Sequence, residues 1–328
     1  MQAAFYELTG PARDVLSLAD LPTPTPKDGE VRVRLAYSGV NPSDVKSRSG
    51  SRSKSLPFPR IVPHSDGSGV IDAVGDGVPP ARLGQRVWTY NAAWGRPFGT
   101  AAEYVVLPQE QAVPLPENTG FAAGACLGIP ALTAYHALAT GGGVAGQNVL
   151  IAGGAGAVGH YAVQLAKILG AKKVFATVSS PEKAAIARAA GADLVLNYKA
   201  DDVAAAILEA TSGNGVDRIV EVDLGVNLAL DLKVLKKDGD LVVYGSSSLE
   251  IPVPFVPMIL KNVCLRFFIV YNLAPADRER AIVHLNSLLA MGRLEHHIAA
   301  SLPLSQIAAA HEMVESGRAI GNVVLEIG

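Results

Sequence analysis

Between Leu150 and Gly170 the chain reads LIAGGAGAVGHYAVQLAKILG, an apolar run, a glycine turn and an amphipathic stretch in unbroken succession. Val149 to Ala152 has the short, wholly apolar character of a parallel strand buried on both faces. Val158, Ala162, Leu165, Ala166 and Leu169 then recur at helical spacing, and Gly170 is a helix stop. The segment is therefore expected to be a strand–turn–helix unit of a doubly wound sheet. With 33 glycines in 328 residues, the spacing Gly154, Gly156, Gly159 means little alone. Between a buried strand and a helix it reads as G-x-G-x-x-G. Gly154 is expected to permit the tight turn, Gly156 to admit a pyrophosphate and Gly159 to bring helix and strand close. The helix opens at Ala157 and Val158, whose free N–H groups and positive dipole end favour phosphate.

The end of the next strand reads VSSPEK. An Asp or Glu that would grip the ribose 2′-hydroxyl of NAD is missing there. Ser179, Ser180 and Lys183 stand in its place. A carboxylate would repel a 2′-phosphate, whereas hydroxyls and an ammonium would hold one. The expected cofactor is NADP(H).

The length suits two domains of roughly 150 residues. Hydrophobic residues make up 49% and charged residues 18%, and the net charge is −2. This gives no global attraction to nucleic acid or anionic membrane. Two isolated cysteines, Cys126 and Cys264, make neither a disulfide framework nor a cysteine-rich metal site. The start, MQAAFYELTG, lacks the features of a signal peptide. A cytoplasmic protein is expected. Residues 118–166 carry no Asp, Glu, Lys or Arg, but Pro130, His136, Gln147 and several glycines interrupt the run, so a nucleotide-domain core is read rather than a membrane span.

Residues 1–115 are β-rich, with short strands between proline and glycine turns. From about residue 120 apolar strands alternate with alanine-rich helices: VLIAG, KVFATV, LVLNY, RIVEV and DLVVYG each precede or follow one. VCLRFFIVY reads as a further strand, ADRERAIVHLNSLLAMG as an amphipathic helix, and GNVVLEIG returns to β character.

So placed, the chain resembles a medium-chain dehydrogenase/reductase, most closely the zinc-independent quinone oxidoreductase, or zeta-crystallin-like, branch. The likeness is carried by SGVNPSDVKSRSG, SDGSGVIDAVGDGV, LGQRVWTY, GIPALTAYHAL, VLIAGGAGAVG, GADLVLNY, VNLALDLKVLKKDGDLVVYGSSS and GNVVLEI. It implies an α/β protein in which a Rossmann-like, doubly wound parallel sheet domain (122–291) is inserted in a GroES-like β domain (1–121 and 292–328).

The zinc-dependent relatives use a Cys after the first strand, a His–Glu pair and a second Cys. Here the first position resembles Asn41, the pair reads His64-Ser65-Asp66, and no cysteine is near. No metal is expected, and His64 is read as a hydrogen-bonded turn histidine. The resemblance implies that Asn41 donates to a substrate carbonyl, that Thr133 lies near the nicotinamide, that Tyr198 lies beside the adenosine phosphate, and that Gly245 and Ser246 line the cofactor. Asn322 falls where relatives often carry Lys next to the phosphates.

Without a metal the substrate must be polarised by hydrogen bonds, which suits a quinone or other α,β-unsaturated carbonyl. A metabolite-specific enone reductase is the alternative enzyme, and a zeta-crystallin-like structural or RNA-binding role the alternative outside catalysis. The segment VKSRSGSRSKS lacks tyrosines that quinone reductases often carry. Its Lys46, Arg48, Arg52 and Lys54 read either as a pocket for an anionic substrate or as a solvated loop. A homodimer, or a tetramer of dimers, is expected through VCLRFFIVY pairing with its two-fold mate, with proline at Phe268 breaking it.

Overall fold

The computed structural model describes all residues, Met1–Gly328. The chain divides into two compact units, one formed by residues 1–130 and 282–328, the other by residues 131–281.

In the first unit β1 (Gln2–Phe5) and β2 (Ser17–Asp20) pair antiparallel, with the short α1 (Ala12–Val15) between them. The main sheet contains β3 (Glu30–Val40), β4 (Asp66–Val74), β5 (Arg86–Thr89), β6 (Tyr104–Pro108), β7 (Ala112–Pro114), β14 (Ile298–Pro303) and β15 (Asn322–Glu326). Its order is β14-β15-β3-β4-β5-β7, with β6 on the other edge of part of β3. Period-two alternation along β3 buries Val31, Val33 and Leu35 against Ile71, Val87, Val105 and Leu107. Three helices decorate this unit: α2 (Pro42–Ser49), α3 (Phe121–Gly124) and α11 (Ile307–Glu315). The register Val323↔Val40 to Glu326↔Tyr37 joins the end of the chain to its beginning.

The second unit is a wholly parallel sheet of β8 (Asn148–Ile151), β9 (Lys173–Val178), β10 (Leu194–Asn197), β11 (Val216–Glu221), β12 (Leu235–Val243) and β13 (Cys264–Phe267), in the order β10-β9-β8-β11-β12-β13. The order reverses between β8 and β11, which makes that junction a topological switch point. The helices are α4 (Leu132–Ala139), α5 (Ala157–Ile168), α6 (Pro181–Ala189), α7 (Val203–Ala210), α8 (Leu224–Val234), α9 (Phe255–Leu260) and α10 (Pro275–Ala290). Leu150, Phe175, Ile219 and Leu241 fill the layer between sheet and helices. Each such fully buried side chain contributes about 1.5–3 kcal/mol. The guanidinium of Arg218, inside β11, is buried too. Its Nη1 donates to the carbonyls of Leu138 and Thr140 and its Nη2 to Asp240, so it closes the carboxyl end of α4.

The expected α/β architecture is present. The compact units divide at 130/131 and 281/282, where the sequence implies domain boundaries at 121/122 and 291/292. Residues 122–130 belong with the β unit because the turn before α4 is bonded to β4: the N–H of Ile129 donates to Asp66 Oδ2 at 2.9 Å. The second half of α10 belongs there too. Asn286 accepts from Trp88 Nε1 and donates to the Pro114 carbonyl, and Asn118 donates to the Leu289 carbonyl.

VCLRFFIVY is a strand only over Cys264–Phe267, and residues 270–272 form a 3-10 turn. Phe268 lies past β13, and its N–H donates to the Val243 carbonyl of the same sheet at 3.2 Å. Proline there would cut the unit's own ladder, not a contact at the free edge. No helix is long and apolar enough to cross a membrane.

Candidate functional site

The glycine turn lies at the carboxyl end of β8, beside the switch point. Its left-handed residue is Gly153, at φ +69°, and not Gly154. Gly154 serves a different purpose: a Cβ on it would lie 2.6 Å from Cβ of Ala176, so its bare backbone lets the turn sit on β9. Two bonds fasten it there, Gly154 N–H to the Thr177 carbonyl at 3.0 Å and Gly153 N–H to Thr177 Oγ1 at 3.3 Å. A Cβ on Gly159 would come 2.1 Å from the Gly153 oxygen, so α5 rides directly on the turn. Gly156 is exposed and precedes the helix, with only the Gly153 oxygen near a notional Cβ, at 3.3 Å.

The first bond into α5 runs from His160 N–H to the Gly156 carbonyl. The N–H groups of Ala157, Val158 and Gly159 therefore have no partner within the helix. No side chain caps it and its first turn holds no acid. These features fit an anionic dinucleotide pyrophosphate.

At the carboxyl end of β9, Ser180 is the N-cap of α6. Its Oγ accepts from Lys183 N–H at 3.3 Å, which leaves the hydroxyl proton for another acceptor. Ser179, Ser180 and Lys183 are half-buried. Asn197 pairs with Val178, so the exposed Tyr198 follows alongside Ser179, and its N–H donates to the Val178 carbonyl. Pairing of β9 with β10 thus gathers Ser179, Ser180, Lys183 and Tyr198 on one edge. Glu182, also exposed, stands in the first turn of α6.

Gly245 and Ser246 follow β12. A Cβ on Gly245 would meet the Val222 oxygen at 2.3 Å, which fixes the loop after β12 against the loop after β11. Thr133 is buried in the first turn of α4. Asn322 is in the β unit, also buried. Its side-chain amide donates to the His297 carbonyl at 3.1 Å and anchors the start of β15.

Asn41, in the β unit, ends β3 and caps α2 in a reciprocal capping box with Asp44. The Asp44 carboxyl accepts from Asn41 N–H at 2.8 Å, and Nδ2 of Asn41 donates to Asp66 Oδ2 at 2.9 Å. Asp66 thereby holds the side-chain amide, and Asp44 holds the backbone N–H of the same residue. All three residues are buried. Burial pushes the Asp44 carboxyl up to about 7, and burial together with Asp44 pushes Asp66 well above the usual carboxylate range.

His64 sits between β3 and the 98–101 segment at φ +76°, a conformation unusual for a side chain with a Cβ. Its Nδ1 is bonded to Ser38 Oγ and its Nε2 to His311 Nε2. Three or more His, Cys, Asp or Glu side chains do not converge anywhere as a metal-ligand group.

Of the four basic residues in the 46–54 segment, Arg48 departs from both readings. It is fully buried, with Nη1 donating to the Gly10 carbonyl at 2.5 Å and Nη2 to Glu315 at 2.8 Å. It fastens α2 to α11, neither facing solvent nor free to meet a substrate. Sequence reasoning also missed Asp44, Glu221 and Asp231. For the last two the signal was an acid flanked on both sides by apolar residues in RIVEV and LALDLKV.

Residues 27–117 match the alcohol dehydrogenase GroES-like domain and residues 157–287 the zinc-binding dehydrogenase family. Human quinone oxidoreductase is 33% identical over 325 residues, covering 98% of this chain and 95% of that protein. Quinone oxidoreductase of Escherichia coli, solved complexed with NADPH, superposes over 100% of both chains with a TM-score of 0.89 at 26% identity. An NAD-dependent alcohol dehydrogenase structure does so over 100% of both chains with a TM-score of 0.92 at 30% identity.

Proposed function

The chain belongs to the quinone oxidoreductase branch of the medium-chain dehydrogenases/reductases, and from that premise we propose that it reduces quinones or other α,β-unsaturated carbonyls with NADPH and without a catalytic metal. NADPH, when bound, supplies the hydride. The N–H groups of Ala157, Val158 and Gly159 hold the pyrophosphate, and Gly156 leaves room for it. Ser179, Ser180, Lys183 and Tyr198 hold the 2′-phosphate. Gly245 and Ser246 border the cofactor from the β12 end, and Thr133 borders its nicotinamide. Asn322, where relatives often carry Lys, has its amide committed to the His297 carbonyl.

The observation that carries the reading is the state of Asn41. By its resemblance it falls where the zinc enzymes carry a ligating cysteine, and here Asp66 orients its side-chain amide while Asp44 fixes its backbone N–H. In this reading the Asn41 amide donates to the acceptor's carbonyl oxygen as negative charge develops, worth on the order of 3 kcal/mol for a well-placed donor. A conjugated acceptor delocalises the remaining charge. An unactivated ketone or alcohol asks for a Lewis acid that an amide does not provide.

The test is steady-state turnover on panels of quinones, enones and simple alcohols, with NADPH and NADH, before and after strong chelation. Quinone or enone turnover with NADPH, unchanged by the chelator, is expected. Alcohol oxidation with NAD that stops on chelation would overturn the reading. Absence of any turnover alongside salt-dependent RNA binding would favour the non-catalytic role.

A reducing cytoplasm suits the two free thiols. The proposed assembly is a homodimer or a tetramer built from it. Support comes from the free edge of β13, where Phe267 is exposed, and from exposed Phe255, Val256, Ile259 and Leu260 on α9.

A further inference from the structure

Glu221 closes β11 at the switch point and is fully buried. Its Oε1 accepts two bonds, from Asp223 N–H at 2.5 Å and Asn227 Nδ2 at 2.9 Å. Its Oε2 is buried and has no donor, and the same is true of Asp231 Oδ2 on α8. The two side chains lie within hydrogen-bonding reach of each other. Two carboxyls this close in a buried setting repel if both are ionised, whereas a single proton shared between them turns the contact into a hydrogen bond. Accordingly the pair retains a proton well above the ordinary carboxylate range: burial raises both carboxyls, and Glu221 raises Asp231 further.

What this pair holds is the rim of the sheet. Asp223, tied to Glu221 through its N–H, accepts at Oδ1 from the N–H and hydroxyl of Ser247 at 2.8 and 3.0 Å. Leu224 N–H donates to the Gly245 carbonyl and Tyr244 N–H to the Glu221 carbonyl. A Cβ on Gly225 would meet Ser248 Oγ at 2.7 Å. Across the switch point, Val222 Cγ1 lies 3.6 Å from where a Gly153 Cβ would be. The loop after β11 is thus pinned by Glu221 and by 245–248, and it adjoins the glycine turn.

We propose that Glu221 and Asp231, joined by one shared proton, are the positioning pair of the dinucleotide site, fixing the loops after β11 and β12 at the spacing the cofactor needs. This rests on the NADPH reading above. Neither residue touches the cofactor; both act through Asp223, Asn227 and Ser247.

The test uses full-length E221A, D231A and N227A with the amide variants E221Q and D231N, the last two able to place an N–H where the shared proton was. NADPH binding is followed by its fluorescence, without turnover. KM is measured separately for NADPH and quinone. Backbone hydrogen exchange is followed at 222–226 and 245–248. E221A and D231A should weaken NADPH binding on the order of tenfold and raise its KM alone. N227A, which removes one tie and keeps the pair, should show a smaller effect of the same kind. E221Q and D231N should retain wild-type affinity, and loop exchange should quicken only in the alanine variants. Folded E221A or N227A with wild-type affinity and exchange would overturn the proposal, as would amide variants as weak as the alanines. If the wild type binds no NADPH, the functional reading fails, and loop exchange still decides whether the pair positions these loops.

Discussion

The Nε2 atoms of His64 and His311 lie 2.9 Å apart in the interior of the β unit, and their hydrogen bonds run in one direction only. Thr100 spends its proton on the Asp66 carbonyl. Ser38 must then donate to Thr100, and His64 Nδ1 to Ser38. His64 Nε2 is left bare and accepts from His311 Nε2–H, while His311 Nδ1 faces the interior without a partner. The chain of bonds fixes both tautomers and offsets the cost of holding His64 at positive φ.

Both imidazoles are held neutral. Burial lowers His64 well below its ordinary value and lowers His311 to about 3, with Arg48 adding to the effect on the latter. An unfolded chain takes up these protons near pH 6.5, so each histidine's contribution is complete above that value. It is lost as pH falls toward 3, by about 2 kcal/mol per histidine at pH 5. The raised carboxyls Asp44 and Asp66 act in the opposite sense, so a variant isolates the term. His311→Gln keeps a donor toward His64 and should lose less stability than wild type between pH 7 and 5, measured by urea unfolding. Identical losses in both proteins would refute this.

Gly128 is crowded. A Cβ there would come 2.4 Å from Asp66 Oδ1 and 2.6 Å from the Thr89 oxygen. Gly128→Ala should displace Asp66, release the Asn41 amide and destabilise the fold by about 1–3 kcal/mol. Quinone turnover should fall, with NADPH affinity retained because the glycine turn lies in the other unit. Unchanged melting temperature and turnover would count against the role given to Asp66.

Lys183→Ala should weaken NADPH binding by roughly tenfold to a hundredfold and leave NADH binding unaltered, since a charged contact to the 2′-phosphate is worth about 1.5–3 kcal/mol. Titration of both cofactors against both proteins checks it. Equal affinity of the wild type for NADPH and NADH would remove the basis of the assignment, and the exposed Glu182 would then be the first residue to suspect.

Because Phe268 N–H bonds inward to Val243, the alternation of a parallel strand turns Phe267 N–H to the free edge of β13. Phe267→Pro should give a folded monomer in sedimentation. Phe268→Pro should lower thermal stability instead. A wild type that sediments as a monomer at micromolar concentration would exclude edge-to-edge assembly.

Much of the architecture was legible because it is written in periodicity. Apolar runs bounded by glycine gave β8, β9 and β12, and the spacing Val158 to Leu169 gave α5. What escaped depends on contacts between residues far apart in sequence. That Gly153 rather than Gly154 takes the left-handed turn follows from the fit of Gly154 onto Ala176 of the neighbouring strand. The burial of Arg48 depends on Glu315 and Gly10, at distances no local pattern reports. The length of β13 is set by where β12 ends, since Val243 is the last residue it can pair with.

The pairing of β15 with β3 has a consequence for synthesis. Residues near 40 must wait for residues near 323 before their sheet is whole. The parallel-sheet unit, contiguous from 131 to 281, needs no such delay and can complete itself while the β unit is still missing a strand. During translation the edge of β3 that β15 will cover stays open over residues 37–40, a short unpaired edge on a nascent protein. Chaperone dependence and vulnerability to premature termination should therefore concentrate in the antiparallel half of the molecule.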